Sequence, residues 1–240
     1  MLAQRISEEN IVFEKIESLE KKKSTWVLHS DLQNDFECDH VVLACPAYVQ
    51  SKLLQNIDKE TALLLDNILY SDVAVAISEY TQESFPNRNK GFGALCAQDQ
   101  ELYGVLGILF SSDIFPSRTL GQQNRLLTRA ILGGTQYPDV LDWSEQDIKE
   151  RVSQAHQIIF GQQKHQVSEV YVFKHKNAIP LYAPGHNELQ EKIRSQIYKK
   201  HDALSLLGNH LFGVGVKDCI RNGEQCAELI NNGQILSKPA

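Results

Sequence analysis

The 240-residue sequence lacks the marks of several large classes of protein. Its net charge of −6 and the absence of a basic stripe argue against a nucleic-acid-binding surface. No apolar run approaches the roughly 18 to 20 residues of a membrane-spanning helix, and the first residues have no long apolar stretch, so no signal peptide is expected. The five cysteines form no C-x-x-C pair and are odd in number, which favours free thiols. We therefore expect a cytoplasmic protein, attached at most peripherally to the inner membrane surface.

The sequence also lacks the side-chain sets of common hydrolytic and metal-dependent sites. It has no Ser/His/Asp arrangement, no Cys/His cluster with metal-ligand spacing, and no Gly-x-Gly-x-x-Gly loop after a strand. His186 is the strongest acid/base candidate among the eight histidines, but a single histidine is more often structural. We therefore predict no catalytic side chain and no metal site.

The most informative stretch of the chain runs from Leu204 to Ile220. An apolar strand leads to two glycines, Gly213 and Gly215, and then into an amphipathic helix. Because glycine has no Cβ, the backbone there can approach a flat or anionic ligand at the N-terminus of the helix. A tight strand-to-helix turn without a ligand is the alternative. Asp218 is more readily explained as an acid that stabilises the first helical turn than as a ligand-binding group.

Hydrophobic patterning predicts two kinds of architecture in one chain. Residues 40–45 are apolar throughout, as in a strand buried on both faces of a parallel sheet. A series of neighbouring strand-like segments farther along indicates an antiparallel sheet. Ser144 is typical of a helix N-cap, with Asp147 in the capping-box position. The antiparallel strands are predicted at 73–80, 91–97, 103–112 and 126–133, and other strands at 11–20, 26–30, 167–174 and 204–207. The closing helix, which follows Gly215, is predicted to turn one side towards the core. That side carries Cys219, Ile220, Cys226, Ala227 and Ile230.

The order of these segments predicts one domain interrupted by another. Residues 1–47 and 185–240 would form parts of a nucleotide-binding layer, and residues 48–184 would form an inserted domain built on the antiparallel sheet. The expected fold class is therefore α/β plus α+β.

Six sequence blocks, in order along essentially the whole chain, resemble one family. They are Phe36–Ala47, Gly91–Leu95, Gly104–Leu109, Asn177–Pro180, Pro184–His186 and Gly213–Ile220. Together they resemble the FAD-dependent protoporphyrinogen oxidases of the monoamine-oxidase-like flavoprotein superfamily. The resemblance implies part of an FAD-binding, Rossmann-like three-layer domain, interrupted by an antiparallel-sheet substrate domain.

The resemblance also implies site residues. Those that match FAD-contacting positions are Ile16, Asn187, Val214, Gly215 and Val216. Those that match positions lining the tetrapyrrole pocket are Phe92, Gly93, Leu95, Leu109 and Ile131. Asn187 stands where several relatives have tryptophan, so an aromatic contact is lost there. The resemblance implies that the cation for a propionate group lies in the missing half, and none of Arg88, Arg118 and Arg129 is a convincing substitute.

The activity implied by the resemblance is the oxidation of protoporphyrinogen IX to protoporphyrin IX in heme biosynthesis, with FAD and dioxygen. Three rounds would each pass a hydride equivalent to the flavin, which would leave the difficult chemistry to the cofactor. The family's phosphate-binding loop is absent here, so we expect the chain to need an N-terminal half or a partner chain, and to be inactive alone. Three alternatives stay open: a coproporphyrinogen III oxidase, a non-catalytic porphyrin-binding module, or another amine-oxidase-like enzyme such as a carotenoid desaturase.

Overall fold

The computed structural model describes residues 5–97, 100–119, 124–161 and 169–233. The chain divides into two compact units. Unit 1 combines the segments Met1–Leu69 and Pro180–Ala240, and unit 2 is the continuous segment Tyr70–Ile179.

Ten strands and six α-helices are found in the described residues. In chain order they are β1 (Ile16–Lys22), β2 (Thr25–Ser30), β3 (Asp35–Cys38), β4 (Val41–Leu43), α1 (Ala47–Leu54), α2 (Lys59–Asp66), β5 (Tyr70–Thr81), β6 (Gly93–Leu95), β7 (Val105–Leu109), α3 (Ser111–Ile114), β8 (Arg125–Gly133), α4 (Glu145–Phe160), β9 (Glu169–Pro180), α5 (His186–Lys200), β10 (Leu204–Leu206) and α6 (Val216–Asn231). The mixture of parallel and antiparallel pairing confirms the predicted fold class.

Unit 1 contains a three-stranded antiparallel sheet in the order β1-β2-β3. Trp26 is fully buried, and its indole N–H donates to the carbonyl oxygen of Asp202 at 3.3 Å. The predicted strand at 11–20 starts too early, because β1 begins only at Ile16. Val12 and Phe13 are exposed, so the apolar residues that suggested an earlier start do not face the core.

A parallel pair, β4 and β10, forms the second sheet of unit 1. Val41 and Leu43 are buried, but Val42 between them is exposed, so the prediction of a strand buried on both faces is wrong at that residue. Strand geometry explains this, because successive side chains point to opposite faces. The buried amide of Gln50 on α1 donates to the carbonyl oxygens of Leu43 at 2.9 Å and of Leu207 at 2.7 Å. These hydrogen bonds connect helix α1 to the C-terminal ends of β4 and β10.

Helix α6 covers less of the core than its sequence suggests. Cys226 is buried, whereas Cys219, Ile220 and Ala227 are exposed and Ile230 is only half-buried. The predicted inner side of the closing helix is therefore wrong for these exposed residues. An amphipathic pattern shows that a helix has an apolar face, and within the described part of unit 1 only the side at Cys226 is covered.

Unit 2 is built on a five-stranded sheet in the order β6-β7-β8-β5-β9. Strand pairs β6/β7, β7/β8 and β5/β8 are antiparallel, as predicted. β9 runs longer than the predicted strand at 167–174, of which residues 167–168 lie outside the described residues. Helix α4 closes one face of the sheet, and its Ile148, Val152 and Ala155 join the sheet's buried side chains in one core.

Local chemistry fixes where α4 begins and what lies beneath it. The Ser144 hydroxyl accepts the Asp147 N–H at 3.0 Å and the Asp147 carboxylate accepts the Ser144 N–H at 3.1 Å, which confirms the capping box. Farther along, the buried ring of His156 hydrogen-bonds the hydroxyls of Tyr80 at 3.2 Å and Thr128 at 2.8 Å. Burial lowers the pKa of His156 to about 4, so the ring is neutral at neutral pH.

The division between the units lies after Leu69 and before Pro180, whereas the sequence predicts it after residue 47 and before residue 185. Helices α1 and α2 belong to unit 1 because α2 is joined to α5. The Lys200 ammonium lies 3.2 Å from the Asp58 carboxylate and 2.9 Å from the Glu60 carboxylate. The functional names of the two domains stay predictions.

Helices long and apolar enough to cross a membrane are not found in the described ranges.

Candidate functional site

The segment Gly208–Gly215, here called the glycine turn, connects β10 to α6 in unit 1. Its Gly213 has φ of +115°, in the left-handed region that favours glycine. The Gly213 N–H donates to the Tyr182 hydroxyl at 2.9 Å, and that hydroxyl donates to the carbonyl oxygen of Asn209 at 2.8 Å. The Tyr182 ring stacks on His186 with ring centroids 4.0 Å apart. The Tyr182 hydroxyl therefore joins the two ends of the glycine turn by hydrogen bonds.

Asp218 explains why glycines are needed before α6. A Cβ added at Gly213 would lie 2.7 Å from Asp218 Oδ2, and one added at Gly215 would lie 2.9 Å from the same atom. Asp218 lies in the first turn of the helix and accepts a hydrogen bond from Arg221 at 2.9 Å. The space that the sequence pattern assigns to a ligand is thus occupied by a side chain, on the Asp218 side of the turn. This agrees with the interpretation of Asp218 as a first-turn acid.

His210 is the polar side chain of the turn that lacks hydrogen bonds. It is fully buried, and neither of its ring nitrogens has a hydrogen-bond partner among the described residues. Its ring uses the room left by Gly208, where a Cβ would lie 2.5 Å from His210 Cε1. Burial and the neighbouring His186 lower the pKa of His210 to about 4, so the ring is neutral and offers one N–H donor and one acceptor. The His210 carbonyl accepts a hydrogen bond from His186 Nε2 at 2.9 Å.

The residues of the turn fit a flavin of the kind that the resemblance implies. Val214 and Val216 are exposed beside the N-terminus of the 16-residue helix α6, and Val216 is 78% exposed. Exposed aliphatic side chains suit a flat aromatic ring system, and a helix N-terminus suits anionic groups. These groups could hold the cofactor without moving the packed Asp218.

The structure brings four of the five predicted FAD residues to this region. Val214, Gly215 and Val216 are consecutive at the start of α6. Asn187 lies in the first turn of α5, directly after the His186 that hydrogen-bonds the turn. Ile16 lies in a different part of unit 1, at the start of β1 opposite Ser30.

In unit 2, four of the five predicted substrate residues share one face of the sheet. Gly93 pairs with Leu109, while Leu95 pairs with Gly107, which in turn pairs with Ile131. Directly paired residues in an antiparallel sheet project to the same side. That side is opposite the buried row of β8, and we call it the open face. Leu95 is 88% exposed there.

Phe92 precedes β6 and lines a separate cavity of about 540 Å³. The wall of this cavity is set by Asp113, which forms two 2.7 Å hydrogen bonds with Arg88 and accepts the Gly91 N–H at 3.1 Å. Hydrogen bonds from Arg88 hold the pKa of Asp113 below its usual value. The Arg88 charge is therefore already matched, which agrees with its exclusion as a propionate-binding cation. The Arg118 guanidinium likewise lies over the Phe115 ring, 4.3 Å from its centroid.

Sequence reasoning missed several residues of the open face. Ile77 pairs with Arg129, and Val75 pairs with Ile131, so these side chains share that side. On β9, Val170 and Val172 pack against the core. Tyr171 and Phe173 alternate with them and therefore point to the open face, where their exposed fractions are 49% and 48%. The alternation within the predicted strand at 167–174 carried this signal, because aromatic and β-branched residues alternate there.

In the described ranges, no group of three or more His, Cys, Asp or Glu side chains could hold a metal ion.

Comparisons with known proteins agree with this fold. The model of the family described as flavin containing amine oxidoreductase matches residues 2–231. Human protoporphyrinogen oxidase is 33% identical over 199 residues, which is 81% of this chain and 40% of that protein. Chloroplastic protoporphyrinogen oxidase 1 of Arabidopsis thaliana is 26% identical over 80% of this chain and 37% of that protein.

Solved structures show the same fold at low identity. A protein from an Exiguobacterium species, described as a protoporphyrinogen oxidase, superposes with a TM-score of 0.76 at 18% identity, over 92% of this chain and 47% of that one. Reduced UDP-galactopyranose mutase gives a TM-score of 0.73 at 10% identity, over 96% of this chain and 50% of that one. The chain thus spans about two fifths of the length of these curated relatives and about half of these structures. Because the family model covers nearly the whole sequence, the chain belongs to the flavin-containing amine oxidoreductase family.

Proposed function

We propose that this chain is part of an FAD-dependent protoporphyrinogen oxidase. In this proposal the open face of unit 2 carries the tetrapyrrole, and the glycine turn of unit 1 contacts the flavin. The observation that carries the proposal is the open face itself. Residues from three strands, chosen by resemblance alone, lie in adjacent register positions on one side of one sheet. The protoporphyrinogen oxidases among the relatives support the same assignment.

The chemistry of a porphyrinogen matches the side chains of this face. The macrocycle is large and apolar, and it carries carboxylates at its rim. The face offers aliphatic and aromatic side chains, and Gly107 lets Leu95 lie across the sheet, since a Cβ there would be 2.9 Å from Leu95 Cδ2. Apolar surface of this kind binds by burial and excludes water from the ligand.

The proposed reaction removes six electrons and six protons from protoporphyrinogen IX to give protoporphyrin IX. When bound, a flavin would supply the redox chemistry, which needs two electrons passed to dioxygen in each of three rounds, with one hydrogen peroxide formed per round. This chain's residues would bury and orient the macrocycle at the open face. At the glycine turn, the N-terminus of α6 would favour negative charge on the cofactor.

A titration of the 240-residue chain with protoporphyrin IX tests the substrate assignment. We expect saturable quenching of the tryptophan fluorescence, and a weaker response after Ile131→Glu, which places a charge on the open face. Leu63→Glu is the matched control, because Leu63 is an exposed leucine on α2. Absence of binding, or equal loss in the two variants, would contradict the proposal.

A second candidate, a porphyrin-binding module without turnover, is favoured by the absence of a Gly-x-Gly-x-x-Gly loop from the sequence. Porphyrin fluorescence formed from protoporphyrinogen, with added FAD, separates the two. We expect no turnover by this chain alone and recovery with the FAD-loop half of a relative supplied as a second chain. Failure of that recovery despite porphyrin binding would favour the module. Coproporphyrinogen III, tested in parallel, addresses the alternative substrate.

The proposed location is the cytoplasm, with at most peripheral attachment to the inner membrane. The free thiols support a reducing compartment. Fractionation of cells that express the chain, with a high-salt wash of the membranes, tests this location. A chain that resists the wash would contradict peripheral attachment.

A further inference from the structure

Arg129 lies in the middle of the open face of unit 2. It projects to the same side as Leu109 and Ile77, its partners on the neighbouring strands β7 and β5. Along β8, its neighbours on that side are Leu127 and Ile131. The half-buried Arg129 side chain therefore lies mainly among aliphatic neighbours, and where a ligand covers it, its positive charge is costly unless an anion accompanies it.

Arg129 has no such anion among the described residues of this chain. Its Nε is buried and has no hydrogen-bond partner. Arg125, which lies on the same side of the same strand, shows the contrast, because its Nε is 3.1 Å from the Glu79 carboxylate. Glu79 pairs with Leu127 in register, so it lies between the two arginines and is used by Arg125. Within the described ranges, the Arg125 guanidinium group on the open face is thus paired with a carboxylate and that of Arg129 is not.

We infer that Arg129 binds a rim carboxylate of the tetrapyrrole and so selects for acidic macrocycles. This inference rests on the proposed function of the open face. A guanidinium group can donate two parallel hydrogen bonds to a carboxylate, and such a pair is strongest where water is excluded. The surrounding aliphatic side chains would contact the macrocycle while Arg129 fixes its orientation. Sequence reasoning judged Arg129 no convincing substitute for a cation expected in the missing half, because its isolation becomes visible only with the strand register.

The test compares protoporphyrin IX, which has two free carboxylates, with its dimethyl ester, which has none. Both are titrated into the 240-residue chain and into Arg129→Gln, Arg129→Lys and Arg125→Gln. We expect Arg129→Gln to weaken binding of the free acid about tenfold, as for loss of one charge-assisted pair, and to leave ester binding unchanged. Arg129→Lys should retain part of the preference for the acid, and Arg125→Gln should retain all of it.

The outcomes separate this inference from the proposed function. If Arg129→Gln binds acid and ester as the unsubstituted chain does, or loses both equally, the role of Arg129 is overturned while porphyrin binding stands. An equal effect of Arg125→Gln would also overturn it, because general charge would then explain the preference. If the unsubstituted chain binds neither porphyrin, the proposed function of the open face fails, and the role of Arg129 fails with it. Arg129→Lys keeps the positive charge. If it retains part of the preference for the free acid, the effect of Arg129→Gln comes from loss of the charge and not from a folding defect.

Discussion

The two faces of the five-stranded sheet in unit 2 are built from alternate residues of the same strands. On β8, Leu126, Thr128, Ala130 and Leu132 are fully buried, while the residues between them are only half-buried. The His156 ring on the closed face hydrogen-bonds Tyr80 and Thr128, although the buried Ser78 hydroxyl on that face has no partner among the described residues. On the open face, the Nε of Arg129 has no partner among the residues that the structure describes. One face is therefore packed under α4, and the other leaves apolar side chains and a guanidinium group partly exposed, as the proposed ligand site requires.

The strongest test of this comparison is a matched pair of truncations at adjacent residues. Leu132→Ala should destabilise unit 2 by about 3 kcal/mol, because it leaves a cavity in the closed core. Ile131→Ala on the open face should cost about 1 kcal/mol, since a half-buried side chain loses less apolar contact. Urea unfolding followed by circular dichroism measures both. Equal losses would show that the two faces are packed alike.

A pH experiment tests the neutral histidine on the closed face. His156 has a pKa of about 4 in the folded chain, below its ordinary value of 6.5. Between these values the unfolded chain binds a proton that the folded chain does not, so stability falls as pH falls. Unit 2 should lose about 2 kcal/mol between pH 7 and pH 5.

The fluorescence of Trp143 in a Trp26→Phe background can follow the unfolding of unit 2, because these are the two tryptophans of the chain and Trp26 belongs to unit 1. In His156→Gln the pH dependence of this signal should become nearly flat. The lowered pKa of His210 acts in the same direction but belongs to unit 1. An unchanged pH dependence in His156→Gln would mean that another group causes the loss.

The same contrast between packed and open surfaces can be examined at two glycines, one before α6 and one in the middle of that helix. Gly213→Ala should destabilise the chain by about 1.5 kcal/mol, because φ is +115° and the new Cβ would meet Asp218 at 2.7 Å. Gly223→Ala should instead stabilise it by about 0.5 kcal/mol, since Gly223 lies inside the helix and no atom lies within 4 Å of its Cβ position. Thermal unfolding of the two variants gives both signs. A stabilising Gly213→Ala would refute the packing role assigned to Asp218.

The smallest expected change in stability is at the edge of the open face. Leu95→Ser should change the free energy of unfolding by less than about 0.5 kcal/mol, because the side chain is 88% exposed. It should nevertheless weaken protoporphyrin IX binding several-fold through the lost apolar contact. Leu63→Ser is the control, with a similar stability and no effect on binding. Loss of affinity in both variants would remove Leu95 from the binding surface.

Local sequence patterns predicted much of this fold correctly, as the capping box of α4 and the antiparallel strands of unit 2 illustrate. Surface exposure was harder to predict, because an apolar residue such as Val42 or Ile220 looks the same in sequence whether its face is covered or not. The packing of Asp218 against the glycine turn needed three-dimensional coordinates, since it depends on φ at Gly213. The isolation of Arg129 required the register of three strands, which periodicity alone does not fix.

The parallel pair of unit 1 has a consequence for the order of folding. The His40 ring meets the Ser205 hydroxyl at 2.9 Å, although the two residues are 165 positions apart in the sequence. Closing so long a loop is slow for an unfolded chain, whereas unit 2 is continuous and its paired strands join residues that are closer in sequence. We therefore expect unit 2 to complete its sheet before β4 pairs with β10. Mutations that slow unit 2 should delay the pairing of β4 with β10, although they lie in neither strand.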